Sequence, residues 1–348
     1  MGRRVLITGL GTFWGGRLAQ ALEADPGVDV IIGLDRLEPT VKLERTEYVR
    51  SDENYSILNR IVKATKVDTV VHTFLVVDST QMAGRLLHEI NVIGTMNLFA
   101  AASAPGSTVR DVVVKSSALV YGASTQDPVW CREDFRRKSP ARTRVERSLL
   151  EVEGYVRDFA IDNPHVMVSL LRFSNVIGKD IATPLTKALE LPLVPSVLGF
   201  DPRFQFVHED DVLRAILFVL DQEVPGIFNV AGDGLLPWSE VAKICGKRTV
   251  ALPFAGASLA TAPLRRLGVD LPPELIDLLK YGRGIDNRRL KQAGFRYDHT
   301  SAGAVEEFCQ SVRLRRTVGP EPIYHYDEEV ETFFRRSPAV VRDQPTVS

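Results

Sequence analysis

A chain of 348 residues, 45% hydrophobic and 25% charged, is long and apolar enough to bury a sizeable core in one large or two modest domains. A formal net charge of -1 supplies no overall field for nucleic acid or an anionic membrane surface. No run approaches the roughly 18 apolar residues of a membrane span, and the first apolar run meets Thr8 and Gly9 too soon to be a signal-peptide core, so a cytoplasmic protein is expected.

The first element in chain order is a strand over 4–7 that enters Thr8-Gly9-Leu10-Gly11-Thr12-Phe13-Trp14-Gly15-Gly16 and then a helix over 16–23. Glycines there let the backbone turn sharply and approach a pyrophosphate. The helix behind them presents unbonded N–H groups and the positive end of its dipole to that phosphate. A second strand over 28–34 runs into Asp35, about 20 residues beyond the last glycines. A carboxylate at that place can accept both hydroxyl hydrogens of an adenosine ribose, which favours NAD. The adjacent Arg36 keeps NADP open as the lesser alternative.

Strands over 47–49, 69–72, 111–115 and 166–171 follow, with helices over 56–64, 86–102 and 144–160 between them. Several of these strands are nearly continuous apolar runs, as buried parallel strands require. Strand–helix alternation therefore predicts an α/β fold, a Rossmann-type doubly wound parallel sheet. After Gly178 the pattern loosens at Pro184, Pro192, Pro195 and Pro202. A helix over 211–220, a strand over 226–230 and a mostly helical stretch over 235–300 complete the chain. The expected organisation is a dinucleotide-binding domain over 1–177, with its sheet completed by about 204–232. A smaller, mostly helical substrate lobe takes 178–203 and 233–320, and a polar tail over 335–348 is expected to be disordered. Cys131, Cys245 and Cys309 are far apart with no C-x-x-C pair, so they read as packed thiols.

Further motifs carry a resemblance. Thr8-Gly9 with Gly15, Asp52, Val71-His72-Thr73-Phe74-Leu75, Asn91-Val92-x-Gly94-Thr95, Ser116-Ser117-Ala118-x-Val120-Tyr121-Gly122, Leu171-Arg172-x-x-Asn175-Val176-x-Gly178 and Phe206-Val207-His208-Glu209-Asp210-Asp211-Val212 stand in this order. Together they resemble the extended short-chain dehydrogenase/reductase family of NAD-dependent sugar-nucleotide epimerases and dehydratases, nearest its actinobacterial UDP-glucose 4-epimerase-like members. The resemblance implies a nucleotide-sugar oxidoreductase or epimerase in which NAD takes up and returns a hydride. It places Ser117 as the catalytic serine. Gly9, Gly11, Thr12, Phe13, Trp14, Gly15, Asp35, Arg36, Asp52, Thr73, Phe74, Asn91 and Ser116 fall at the cofactor. Ser117, Asn175 and Arg203 fall at the substrate. It also implies a homodimer through two helices per subunit, one of them over 144–160. Nucleic acid, membrane and metal are not expected as partners.

Three departures stand out. The family's tyrosine and lysine, four residues apart on one helix face, transfer and tune a proton. Their places here hold Val145 and Leu149. Val145, Leu149, Val152, Val156 and Phe159 instead make an apolar stripe at helical spacing, which predicts a packing face. The sharper alternative is substitute chemistry from Arg144, Glu146 or Arg147. Thr12 replaces the family's middle glycine, a β-branched residue where positive φ is disfavoured. Phe74 and Leu75 are bulkier than the alanines usual at the cofactor, and Arg203 stands one residue early. His72 is expected to be structural, and His208-Glu209-x-Asp211 a structural turn, since its spacing fits no standard metal motif. The chain therefore supports two readings: a nucleotide-sugar epimerase or oxidoreductase, or a non-catalytic NAD-binding sensor or scaffold.

Overall fold

The computed structural model describes residues 2–80, 82–253, 270–318, 330, 333–334 and 337–341. Seven parallel strands form the central sheet: β1 (Arg3–Thr8), β2 (Val28–Asp35), β3 (Thr46–Arg50), β4 (Thr69–His72), β5 (Asp111–Ser117), β6 (Met167–Phe173) and β7 (Gly226–Val230). Their spatial order is β7-β6-β5-β4-β1-β2-β3. The order reverses between β1 and β4, and a doubly wound sheet opens its ligand crevice at the carboxyl ends of the strands at such a switch point.

Both sheet faces are apolar because helices cover both. Leu6, Ile32, Val70, Val112 and Val114 share one core with residues of α2 (Tyr55–Thr65), α4 (Thr95–Ala102) and α5 (Arg144–Asp162). Val5, Ile7, Ile31, Val71 and Val113 share another with α1 (Phe13–Glu23) and α7 (Glu209–Asp221). This two-sided burial explains the unbroken apolar runs. The single helix expected over 86–102 is α3 (Gly84–His88) and α4 joined by a π-helical turn, Glu89–Gly94. π-turns insert a residue into the helical ladder and often mark functional regions.

A further core gathers Ile177, Val194, Phe204, Phe206, Trp238, Leu275 and Phe308. It draws on α6 (Pro184–Glu190), α8 (Trp238–Ile244), α9 (Pro273–Tyr281) and α11 (Ser301–Val318), with α10 (Arg288–Gln292) nearby in sequence. Within the stretch expected to be mostly helical, residues 248–252 form a strand that pairs in parallel with 193–197. Non-local pairing overrides the local pattern there.

One expectation is corrected. Cys245 and Cys309 are joined in a disulfide with their Cα atoms 5.3 Å apart, and only Cys131 is an unpaired, buried thiol. Their separation of 64 residues hid a contact made by α8 against α11. Of the expected tail, residues 337–341 are described, and two hydrogen bonds tie the backbone of that stretch to the first domain. Arg4 Nη2 donates to the Ala339 carbonyl at 2.6 Å, and the Val341 N–H donates to the Ala64 carbonyl at 2.6 Å. Ala339 and Phe333 are buried in the first core. Residues 335–336 and 342–348 lie outside the described part. Among the described residues no helix is long and apolar enough to cross a membrane.

Candidate functional site

A cavity of about 500 Å3 opens over the carboxyl ends of β1, β4, β5 and β6. Its size is that of a small-molecule or cofactor site. Gly11, Thr12, Phe13, Trp14, Asp35, Arg36, Thr73, Phe74, Ser116, Ser117 and Asn175 all line it, so the topology brings most of the expected site residues to one crevice.

The turn after β1 is built by local bonds. Gly9 takes φ +83, which only glycine adopts without strain. A Cβ on Gly15 would lie 2.1 Å from the Gly9 carbonyl oxygen, and one on Gly11 would lie 2.5 Å from that of Leu37. Thr12 does not narrow this turn. It sits at φ -74 and ψ 156 as the N-cap of α1, where its hydroxyl accepts from the Gly15 N–H at 3.2 Å and donates to the Gly9 carbonyl at 2.6 Å. A β-branched residue suits that extended conformation, so the expectation of a disfavoured positive φ is overturned. Thr12, Phe13 and Trp14, at the N-terminus of α1, line the cavity.

Asp35 is buried and binds the turn, accepting from the Gly11 N–H at 3.0 Å and the Leu37 N–H at 2.9 Å. Burial pushes its pKa up, against those two N–H groups, which hold it down. Arg36 pairs with Asp52 at 2.6 Å. Asp52 is exposed and is not part of the cavity wall. Beside it Glu53 is, and burial with the nearby Asp35 and Asp52 charges raises its pKa to about 7.

Several expected side chains are occupied elsewhere. The Thr73 hydroxyl donates to the Thr8 carbonyl at 2.9 Å. Asn91 is fully buried and brackets Val76, accepting from its N–H and donating to its carbonyl, each at 2.8 Å. It shapes the cavity wall through Val76 rather than entering the cavity. Ser116 donates to Glu153 Oε1 at 2.8 Å, and Glu153 in turn holds Arg172. His72 is wedged between the Thr8 and Thr95 hydroxyls at 2.8 and 2.9 Å. Burial lowers its pKa to about 3, so it is neutral and structural.

At the opposite end Ser117 caps a short 3-10 turn, accepting from the Leu119 N–H at 3.2 Å. Asn175 donates to the Gln205 carbonyl at 2.9 Å and leaves its oxygen open. Arg203 is exposed and lies outside the cavity wall. Val145 and Leu149 are both 0% exposed in the core, and Glu146 is locked onto Arg137 at 2.9 Å. Neither the family's pair nor its sequence neighbours reach the cavity.

Besides Glu53, further polar cavity residues carry no mark in the sequence reading, Lys115, Glu274 and Ser174 among them. Lys115 lies on β5 with its ammonium 5.7 Å from the Trp14 ring centroid, and it makes no hydrogen bond or ion pair among the described residues. Burial lowers its pKa to about 8. Glu274 at the start of α9 accepts from the Ser79 N–H through Oε1, while its Oε2 is buried without a partner. Ser174 also lines the cavity with a buried, unpartnered hydroxyl. A charged residue inside the apolar run of β5 was the one signal that could have marked Lys115. Away from the cavity, His208 stacks on His299 at 4.0 Å with Glu307 beside both. Each of the three offers one potential ligand atom within 4.8 Å of the others.

Comparison with known proteins gives a consistent result. The model of the "NAD dependent epimerase/dehydratase family" matches residues 5–231. An uncharacterized protein of Mycobacterium tuberculosis is 33% identical over 331 residues, covering 93% of this chain and 88% of that protein. A UDP-glucose 4-epimerase of Oryza sativa is 31% identical over 137 residues, covering 38% of this chain and 35% of that protein. Among solved structures, UDP-glucose 4-epimerase from Thermotoga maritima with UDP-glucose superposes with TM-score 0.69 at 17% identity, covering 90% of this chain and 99% of the other. dTDP-glucose 4,6-dehydratase from Bacillus anthracis, in complex with NAD, gives 0.66 at 18% identity, covering 90% and 97%. At those identities the structural likeness establishes the fold alone.

Proposed function

Because the chain belongs to the NAD dependent epimerase/dehydratase family, we propose that it binds NAD along the cavity and a nucleotide sugar at the Ser117 end, as a binding or sensing protein without the family's tyrosine–lysine proton transfer. The observation that carries this reading is the complete burial of Val145 and Leu149. A face packed into the sheet core can neither touch a sugar hydroxyl nor hold a ribose.

The residues present fit the cofactor. Asp35 retains lone pairs for ribose hydroxyls and repels an added 2′-phosphate, which favours NAD over NADP. The N-terminus of α1 and the unpaired Lys115 ammonium both suit a pyrophosphate. NAD, when bound, supplies hydride uptake and return. Ser117 and the Asn175 oxygen are placed to orient the hydroxyls of the sugar. The sugar-binding lobe is assigned to 178–203 and 233–320, from which Ile181, Pro184, Leu275 and Leu278 reach the cavity wall. A homodimer through α4 and α5 accords with the exposed side chains of Ile93, Met96, Tyr155 and Ile161.

A second reading, an active epimerase or oxidoreductase, draws on Lys115. A buried amine with a pKa of about 8 in the same cavity wall as Ser117 can exchange a proton near neutral pH. One experiment separates the readings. The purified protein is assayed for bound NAD(H) and for absorbance change at the reduced-nicotinamide band with a panel of nucleotide sugars. Binding without turnover is expected. Turnover abolished by Ser117→Ala or Lys115→Met would establish the enzyme instead, and absence of nucleotide binding would overturn both readings.

A further inference from the structure

Arg283 is a buried cation with no contacting counter-ion among the described residues. Its side chain is among the buried polar groups at 6% exposure. Nη1 donates to the Ala118 carbonyl at 2.5 Å, while Nε is buried with no hydrogen-bond partner. Among the described residues no carboxylate pairs with it. Burial lowers its pKa to about 10, so it stays charged at neutral pH. The Glu146 and Asp127 charges act on it only from beyond ion-pair contact; a buried charge without a contacting partner is costly, and an unpartnered N–H on it asks for an acceptor.

The surroundings suggest what that acceptor is. Arg283 lines a small cavity of about 30 Å3 with Ser117, Ser174 and Asn175. Those three also line the large cavity, so the small one is an alcove beside its Ser117 end. The Ser174 hydroxyl in its wall is likewise buried without a partner. The alcove thus offers a charged N–H donor and a hydroxyl donor, and it shares Ser117, Ser174 and Asn175 with the wall of the large cavity. It lies at the end assigned to the sugar, away from the turn before α1 that suits a pyrophosphate.

We propose that the alcove is an anion subsite that takes the carboxylate of a sugar acid, making a nucleotide-linked hexuronate the preferred ligand. This rests on the nucleotide-sugar reading above. One carboxylate oxygen accepts from Arg283 Nε and the other from Ser174 Oγ, which converts both orphaned groups into a charge-assisted pair. A neutral sugar leaves the guanidinium unpaired, and a site built for a polar partner discriminates strongly against ligands that lack it.

The test uses the full chain with saturating NAD and titrates UDP-glucuronate and UDP-glucose by calorimetry. Wild type is expected to bind UDP-glucuronate at least tenfold more tightly. Arg283→Met is expected to bring the two ligands to within about twofold of each other. Because Arg283 also holds Ala118, Ser174→Val provides a second variant that fills the alcove and keeps the arginine. It too is expected to lose the preference while still binding UDP-glucose. Equal wild-type affinities, or a preference that survives both variants, would overturn the subsite while leaving nucleotide-sugar binding intact. Binding of neither ligand would overturn the nucleotide-sugar reading and the subsite with it.

Discussion

The backbone N–H of Gly11 donates to the carboxylate of Asp35 at 3.0 Å. The residue expected to read a ribose therefore also fastens the turn meant to cradle the phosphates. β2 ends where this bond forms, and the same carboxylate caps the Leu37 N–H.

Removing that carboxylate should loosen both ends of the cofactor site together. Asp35→Ala is expected to weaken NAD binding roughly 10- to 100-fold, the loss of one to two charge-assisted hydrogen bonds. Calorimetric titration checks this, and an unchanged affinity would place the ribose elsewhere.

Glu53 gives a pH signature. Its pKa is raised from 4.5 to about 7, chiefly by burial. The folded chain then binds the proton more tightly than the unfolded one. The favourable contribution is full below pH 4.5 and is lost as pH rises to about 7. Glu53→Gln should therefore add up to about 3 kcal/mol of stability above pH 7 and nothing near pH 4.5. Urea unfolding at the two pH values measures the difference, and equal effects at both would contradict it.

Lys115 has the opposite sign. Burial lowers its pKa from 10.5 to about 8, so the fold carries a penalty below pH 8 that fades as pH rises towards 10.5. Lys115→Met should stabilise the free protein by up to about 3 kcal/mol at pH 7. If the ammonium meets the pyrophosphate, wild-type NAD affinity should fall as pH rises through 8 and stay flat in Lys115→Met. A flat wild-type profile would remove Lys115 from the cofactor.

Restoring the missing pair should fail. The double variant Val145→Tyr with Leu149→Lys places a phenol and an amine where both side chains are 0% exposed. Overpacking and a buried ammonium should together cost about 3 kcal/mol or more, with no turnover gained. A variant of wild-type stability that interconverts nucleotide sugars would show the face to be an active site after all.

The first strand, its glycine turn, the following helix and Asp35 were legible in the chain because each is encoded within a few residues. Apolar period, a positive-φ glycine and an acidic strand end are local signals. Thr12 was misjudged for a local reason too, since an N-cap threonine and a misplaced loop residue look alike until the dihedral angles are known. The apolar stripe through Val145 and Leu149 was readable as a packing face from its period alone, but its full burial was not.

By itself the sequence determined the strand–helix alternation, the nucleotide turn, the family and the loss of the tyrosine–lysine pair. Only the tertiary structure decided that Lys115, Glu53, Glu274 and Ser174 converge on one crevice with Arg283 in the alcove beside it, that Cys245 meets Cys309, and that Ala339 docks beside Arg4. These partners are separated by long stretches of chain. Periodicity and turn chemistry set dihedral angles over a few residues, whereas which distant side chains meet, and which are left charged and unpaired, is settled by how the layers pack.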